Sequence, residues 1–285
     1  MKRAAWSLPR RAALLVTLAG VALGLLASAR PAPAAPPRAF VVLLEHGSGT
    51  PGRAQPFLDE LLLVVAKQNQ WPKPLGRYFS ERAPALDFVQ KEQPSFGILS
   101  LGAFLALKGS WSLSVVGEVV APKAGGRQYF LVSKRAAALA ACKGQPLTTT
   151  FASDAKLVDQ VVAGGAFRLA DFKLVEARRP LEPLKQVLRG EAACALIDDA
   201  QLEATHHIEQ GQELKPIWRS AELPGMPVVA FPRADAASVQ TFKQSLGELC
   251  TKAKQACTNV GIEVMRPSDA ARYRAVLDAY SKSPP

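Results

Sequence analysis

Asp198 and Asp199 stand side by side at the end of the apolar run Cys194-Ala195-Leu196-Ile197. A run this apolar reads as a buried strand, and one that ends in two carboxylates either stops in solvent or points its acids at something. Other strand-like runs also end in short polar clusters just before a helical pattern. His46, Ser48 and Thr50 follow "AFVVLLE", Ser80 and Glu81 follow "GRYF", and Ser100 follows "SFGIL". Ser153 and Asp154 follow "QPLTTTFA". In open parallel sheets, ligands bind outside the carboxyl ends of strands, where helix N-termini offer free N–H groups to anions. His46, Ser48, Thr50, Ser80, Glu81, Ser100, Ser153, Asp154, Asp198 and Asp199 therefore form one candidate ligand-binding set. For any single member, helix capping or solvation is the better account, Ser153 and Asp199 suiting caps above all, and it is as a set facing one cleft that they point to binding.

The set fits binding better than catalysis. Adjacent side chains diverge, so Asp198 and Asp199 do not face each other as an acid/base pair. His206 and His207 fall late in a helical pattern. There is no Gly-x-Ser-x-Gly elbow, His-Glu-x-x-His or phosphate-binding P-loop, and the Gly-rich "GSGTPG" at 47–52 lacks the lysine of the last. No catalytic residue, metal ligand or cofactor is assigned.

The elements that must position these residues alternate. Strand patterns at "AFVVLLEHG", "GRYFS", "SFGILS" and "LSVVGEVV" are separated by helical patterns at "PGRAQPFLDELLLVVAKQNQ", "ERAPALDFVQKE" and "LGAFLALKG". In the first helix Phe57, Leu61, Val64 and Val65 recur at helical spacing. This order predicts a mainly parallel sheet covered on both faces. "APKAGGRQYFLVSK" breaks it with a Gly-Gly turn and an antiparallel return, after which the alternation restarts. "QPLTTTFA", "FKLVEAR" and "ACALIDD" read as strands, and "SDAKLVDQVVAGGAF", "LEPLKQVLRG" and "AQLEATHHIEQG" as helices. "ELKPIWRS" and "MPVVAFPR" read as extended segments travelling back, and amphipathic helices are predicted around 235–253 and 268–281. "ALDFVQKEQPSFGILSLGAFLAL" and "PLKQVLRGEAACALIDDAQLEA" share one plan of helix, break, strand, loop and helix. The echo predicts two similar α/β lobes, more than one crossover, and a cleft between them.

At the N-terminus, Lys2, Arg3, Arg10 and Arg11 precede the apolar stretch Ala12 to Leu26 and the small residues Ala27-Ser28-Ala29. That is the pattern of a secretory signal over 1–29, cleaved near Ala29, and the Pro/Ala-rich 30–38 is expected to be a disordered leader. The formal charge of +11, less the four basic residues of the signal, leaves +7. Lys and Arg are scattered without aromatic interleaving, which argues against nucleic acid. All four cysteines follow the signal, and an even count in an exported chain favours disulfides. Cys250 and Cys257 are close enough to staple a helix end to the following turn, while Cys142 and Cys194 come just before two candidate strands. Zinc is the alternative, but there is no Cys-x-x-Cys pair.

Nearly all of the mature chain resembles the phosphate/phosphite/phosphonate-binding (PhnD-like) periplasmic solute-binding proteins of ABC transporters. The resemblance runs through "GRYFSERAPALDFVQKEQPSFGILSLGAFLAL", "VVGEVVAPKAGGRQYFLVSKR", "KGQPLTTTFASDAKLVDQVVAGG", "LKQVLRGEAACALIDDAQLE" and "MPVVAFPRADAASVQTFKQSLGEL". It implies the α/β type 2 periplasmic-binding fold, with two α/β lobes, a ligand cleft and two hinge crossings near 121–135 and 213–228. Lobe 1 would be 39–130 plus 221–285, and lobe 2 would be 131–220. It further implies a periplasmic monomer without cofactor that passes a small polar ligand to an ABC permease or other inner-membrane receptor. The family's anion-cradling loop reads Phe151-Ala152-Ser153-Asp154-Ala155 here, so Asp154 puts a carboxylate where an anion would sit. Asp198 falls where acids of the family meet a ligand amino group, which makes a zwitterion as fitting as an oxyanion. The resemblance also places Cys142 and Cys194 before neighbouring parallel strands, opposite the cleft, as a second bridge. An enzyme or a receptor's sensing subunit on the same two-lobe plan is the alternative.

Overall fold

The computed structural model describes residues 39–47 and 50–282. The expected signal over 1–29, the leader over 30–38 and the candidate Ser48 lie outside the described residues. The first lobe begins with β1 (Ala39–Leu43), α1 (Pro51–Asn69), β2 (Leu75–Phe79), α2 (Arg82–Glu92), β3 (Phe96–Leu99), α3 (Leu101–Leu107) and β4 (Ser114–Val120). The second is built from β5 (Tyr129–Ser133), β6 (Pro146–Thr149), α4 (Ala155–Leu157), β7 (Lys173–Glu176), α5 (Glu182–Leu188), β8 (Cys194–Asp198), α6 (Asp199–Ala204) and β9 (Lys215–Arg219). The chain then returns through β10 (Met226–Ala230), α7 (Ala236–Lys252), α8 (Lys254–Asn259), β11 (Val264–Pro267) and α9 (Arg274–Ser281).

The two sheets repeat one order. The first runs β2-β1-β3-β10-β4-β11 and the second β7-β6-β8-β5-β9. In each, the lobe's first strand lies between its second and third, and the strand arriving from the other sheet follows the third. That arriving strand enters from the crossing end and so runs against its neighbours. β10 is antiparallel to β3 and β4, and β5 to β8 and β9. With β11 also antiparallel to β4, the first sheet is mixed rather than mainly parallel. The echo is realised, since β3 and β8 hold equivalent places, each between a parallel and an antiparallel partner.

Two other expectations are corrected. The helix expected over "SDAKLVDQVVAGGAF" is a 3-10 turn at Ala152–Asp154, the three residues of α4, and a π-turn at Val158–Val162. Gly164 and Gly165, both at positive φ, end it. On α1 the buried face is Leu58, Leu61, Leu62 and Val65, whereas Phe57 is 43% exposed and Val64 only half-buried.

A single apolar cluster is continuous across both lobes, joining Val41, Leu99 and Phe104 to Leu131, Phe151 and Leu157. The last helix reinforces the join. Val276 of α9 belongs to that cluster, Gln160 donates to the Lys282 carbonyl at 2.8 Å, and the Lys156 ammonium lies 4.4 Å from the Tyr280 ring centre. Cys142–Cys194 and Cys250–Cys257 are both disulfides, with Cα separations of 6.1 and 5.5 Å. The first ties the start of β8 to the loop before β6, its parallel neighbour, and the second ties α7 to α8.

Candidate functional site

The carboxyl ends of β1, β3 and β8 meet at the two crossings, 121–128 and 220–225, around a small cavity of about 40 Å³. The crossings are bonded to each other. The Leu223 N–H donates to the Arg127 carbonyl at 2.7 Å, and the Tyr129 N–H donates to the Ser220 hydroxyl at 3.0 Å. Gly225 is held at both ends of its residue, its N–H donating to the Glu118 carboxylate at 2.8 Å and its carbonyl accepting from the Tyr273 hydroxyl at 3.1 Å. Burial pushes the Glu118 carboxyl up, but the Gly225 N–H, Arg266 and Arg272 outweigh it and leave it below the usual range.

Asp198 is the most buried acid lining the cavity, at 4% exposure. Its Oδ1 accepts the Gln201 N–H at 2.8 Å, and the Gln201 side chain accepts the Asp198 N–H at 2.9 Å, closing a capping box at the start of α6. The cap of this helix is thus Asp198 and not Asp199. Asp199, the first helical residue, accepts the Arg127 N–H at 3.2 Å and so anchors the first crossing. Burial, set against the Gln201 N–H and joined by the charge of Asp199, pushes the Asp198 carboxyl up to about 7. Gly125 lies over it at φ +76, where a Cβ would stand 2.1 Å from Asp198 Oδ2, so the backbone can pass there only as glycine.

Asp154 takes the opposite course. It does not turn away but points into the cleft, accepting from Arg82 at 3.1 Å and pairing with His46 Nε2 at 2.9 Å. Arg82 also donates two bonds to Glu45, at 2.8 and 2.7 Å. Burial raises the Asp154 carboxyl, and His46 and Arg82 more than reverse the shift. His46 adopts φ +65, a left-handed backbone that non-glycine residues take at a cost, and its ring packs on Phe151 with centres 4.9 Å apart. Phe151 also packs edge-on against Tyr129, whose buried hydroxyl is driven upward by desolvation and the neighbouring acids. First-lobe His46, Arg82 and Glu45 thus clasp second-lobe Asp154. Asp154→Ala is expected to cost only about 0.5–1 kcal/mol, because Arg82 is one-third exposed. It should also open the cleft, read as a larger radius of gyration in small-angle scattering. An unchanged radius would show that the clasp does not hold the lobes together.

Of the other candidates, Ser100 lines the cavity and caps α3, accepting the Ala103 N–H at 3.4 Å. Thr50, Ser80, Glu81 and Ser153 line a wider hollow of about 610 Å³ that shares Glu45, His46 and Asp154 with the cavity. Ser153 is not the helix cap expected of it, since it sits inside the 3-10 turn and Asp154 precedes α4. The strand-end rule missed Glu45 and Arg82 by one residue each, although each adjoins a chosen candidate. It could not find Tyr129, Arg127 or Gly125, which lie on or beside a crossing. Gly47, Gly49 and Gly52 have the Gly-x-Gly-x-x-Gly spacing of a dinucleotide loop between β1 and α1. The third glycine of such a loop serves close helix–strand packing, yet a Cβ on Gly52 would meet nothing within 4 Å.

No protein-family model and no curated protein matches the chain. Solved structures do. A binding protein component of an ABC phosphonate transporter from Pseudomonas aeruginosa aligns at TM-score 0.64 and 12% identity over 86% of each chain. A Xanthomonas citri protein bound to chloride ion aligns at 0.69 and 14% over 85% of this chain and 96% of that one. A Prochlorococcus marinus protein in complex with methylphosphonate aligns at 0.61 and 11% over 85% and 96%. At these identities the likeness is one of architecture, and with the shared strand order of its two sheets it gives this chain the type 2 periplasmic-binding fold.

Proposed function

We propose that the chain captures a small zwitterionic ligand between its lobes in the periplasm and delivers it, as a monomer, to an ABC permease. One observation carries this reading. The cavity between the lobes is lined by both the buried Asp198 carboxylate and Arg127, whose guanidinium pairs with Glu222 at one end but whose buried Nε–H has no partner. An ammonium group would relieve the first and an oxyanion would satisfy the second. A plain oxyanion suits the cavity less well, because Asp154 already occupies Arg82 and His46. The lobes would be 39–130 with 221–285, and 131–220, closing by hinge motion at the crossings. His46, Ser48, Thr50, Ser80, Glu81, Ser100, Ser153, Asp154, Asp198 and Asp199 remain the proposed contacts, joined by Arg127.

The His46–Asp154 pair favours a second reading, an enzyme with a converging acid/base pair in its cleft. That reading needs a nucleophile or a positioned water. Among the described residues no hydroxyl or thiol is bonded to His46, so binding without turnover is the better account.

Thermal-shift screening of the purified protein against amino acids, aminoalkylphosphonates, polyamines, methylphosphonate and phosphate tests the proposal. A melting temperature that climbs with zwitterion concentration, and stays flat with phosphate, is the expected result. Flat curves with every small polar ligand would sink it, and a response to phosphate alone would sink the ligand class.

A further inference from the structure

A second hollow, of about 260 Å³, lies in the first lobe beneath α1. Its walls are Val42, Ile98, Leu58, Leu61 and Met226, with the half-exposed Phe57 beside its opening. Leu44, Val119, Ala121, Ala124 and Met226 line both this hollow and the cleft cavity, so the two are neighbours divided by a wall of side chains. Protein interiors leave few voids larger than a water molecule. Apolar cavities of about 150 Å³ stay dry and accept a benzene-sized guest, so this one has room for a ring with a short substituent. The lining is apolar except for Tyr78, Asn259 and two cations, Arg53 and Lys123. Both cations are exposed, and neither forms an ion pair or side-chain hydrogen bond among the described residues.

We propose that this hollow is a second ligand site, taking the apolar body of a small organic acid, aromatic or short aliphatic, whose carboxylate sits at Arg53 and Lys123. Apolar walls with a few polar groups at one edge are the usual make-up of a small-molecule site. Two unpaired cations at that edge select a negative charge.

Calorimetric titration of the purified protein with 4-ethylbenzoate and hexanoate, beside the uncharged 4-ethylbenzyl alcohol and hexanol, tests it. The parent should bind the carboxylates. The double reversal Arg53→Glu with Lys123→Glu should weaken them about tenfold at low salt and leave the alcohols unchanged. Ala54→Phe, which fills the hollow from α1, should abolish binding of both kinds. The rim reversal touches only exposed side chains, so it remains informative if the filled variant fails to fold. No binding by the parent overturns the proposal, as does carboxylate binding that survives Ala54→Phe in a folded protein. Carboxylate binding indifferent to the rim reversal overturns the choice of an anion.

Discussion

Asp198→Asn is expected to make the protein more stable at pH 8, nearly unchanged at pH 4, and unable to hold an amine-bearing ligand. Asp198 is almost fully buried and its carboxyl is pushed up to about 7, mainly by desolvation. A raised carboxyl binds its proton more tightly in the folded chain than in the unfolded one. Its contribution to stability is therefore complete below the ordinary carboxylate range and is lost as pH rises through about 7. At pH 8 the folded protein must carry a buried charge for which it has backbone donors but, among the described residues, no cation within bonding distance. The penalty is on the order of a few kcal/mol. Asparagine removes the charge and keeps the cap, since its side-chain oxygen can still accept the Gln201 N–H. Urea midpoints of parent and variant across pH 4–8 should thus diverge as pH rises. Parallel curves, or a variant weaker at pH 8, would refute the burial argument. Undiminished affinity for a zwitterion found by screening would instead remove Asp198 from the ligand.

The cost of that buried acid bears on what a sequence can disclose. The apolar run before Asp198 and its echo at β3 made a cleft-facing strand end readable, because apolar runs bounded by polar residues leave little choice of strand. Which of two adjacent acids turns inward was not readable from the residues themselves, and only the family resemblance singled out Asp198. The choice depends on where the first turn of α6 begins, and there the capping box with Gln201 favours Asp198. The same limit hid Glu45 and Arg82 behind His46 and Glu81, for a one-residue step at a strand end changes which side chain faces the cleft. The irregular helical stretch after β6 has a helical hydrophobic pattern, yet its start is drawn into the cleft by the clasp on Asp154. The edge strand β11 is four residues long, ends at Pro267, and buries only Met265. Too little periodicity is present there to see. Tyr129, Arg127 and Gly125 act through the crossings, and a rule built on strand ends has no view of a crossing.

The two disulfides should differ widely in what they contribute. Cys142 and Cys194 are 52 residues apart, whereas Cys250 and Cys257 are separated by 7. If a bridge acts chiefly by restricting the unfolded chain, the long loop is worth about 4 kcal/mol and the short one about 2. The double change Cys142→Ala with Cys194→Ala should therefore lower Tm by about 10 °C in a chain of this size. Cys250→Ala with Cys257→Ala should lower it by roughly half as much. The long bridge also acts in the folded state. It fixes the first residue of β8 against the entrance to β6, and β8 runs from that residue to Asp198. Cys194 is fully buried and Asp198 nearly so, so slack at one end of so short a strand reaches the other. Losing the long bridge should thus weaken zwitterion binding even at temperatures where the protein stays folded, while losing the short one should not. Equal loss of Tm in the two variants would refute the loop-length account. Unaltered affinity in the first would show that packing alone holds β8 in place.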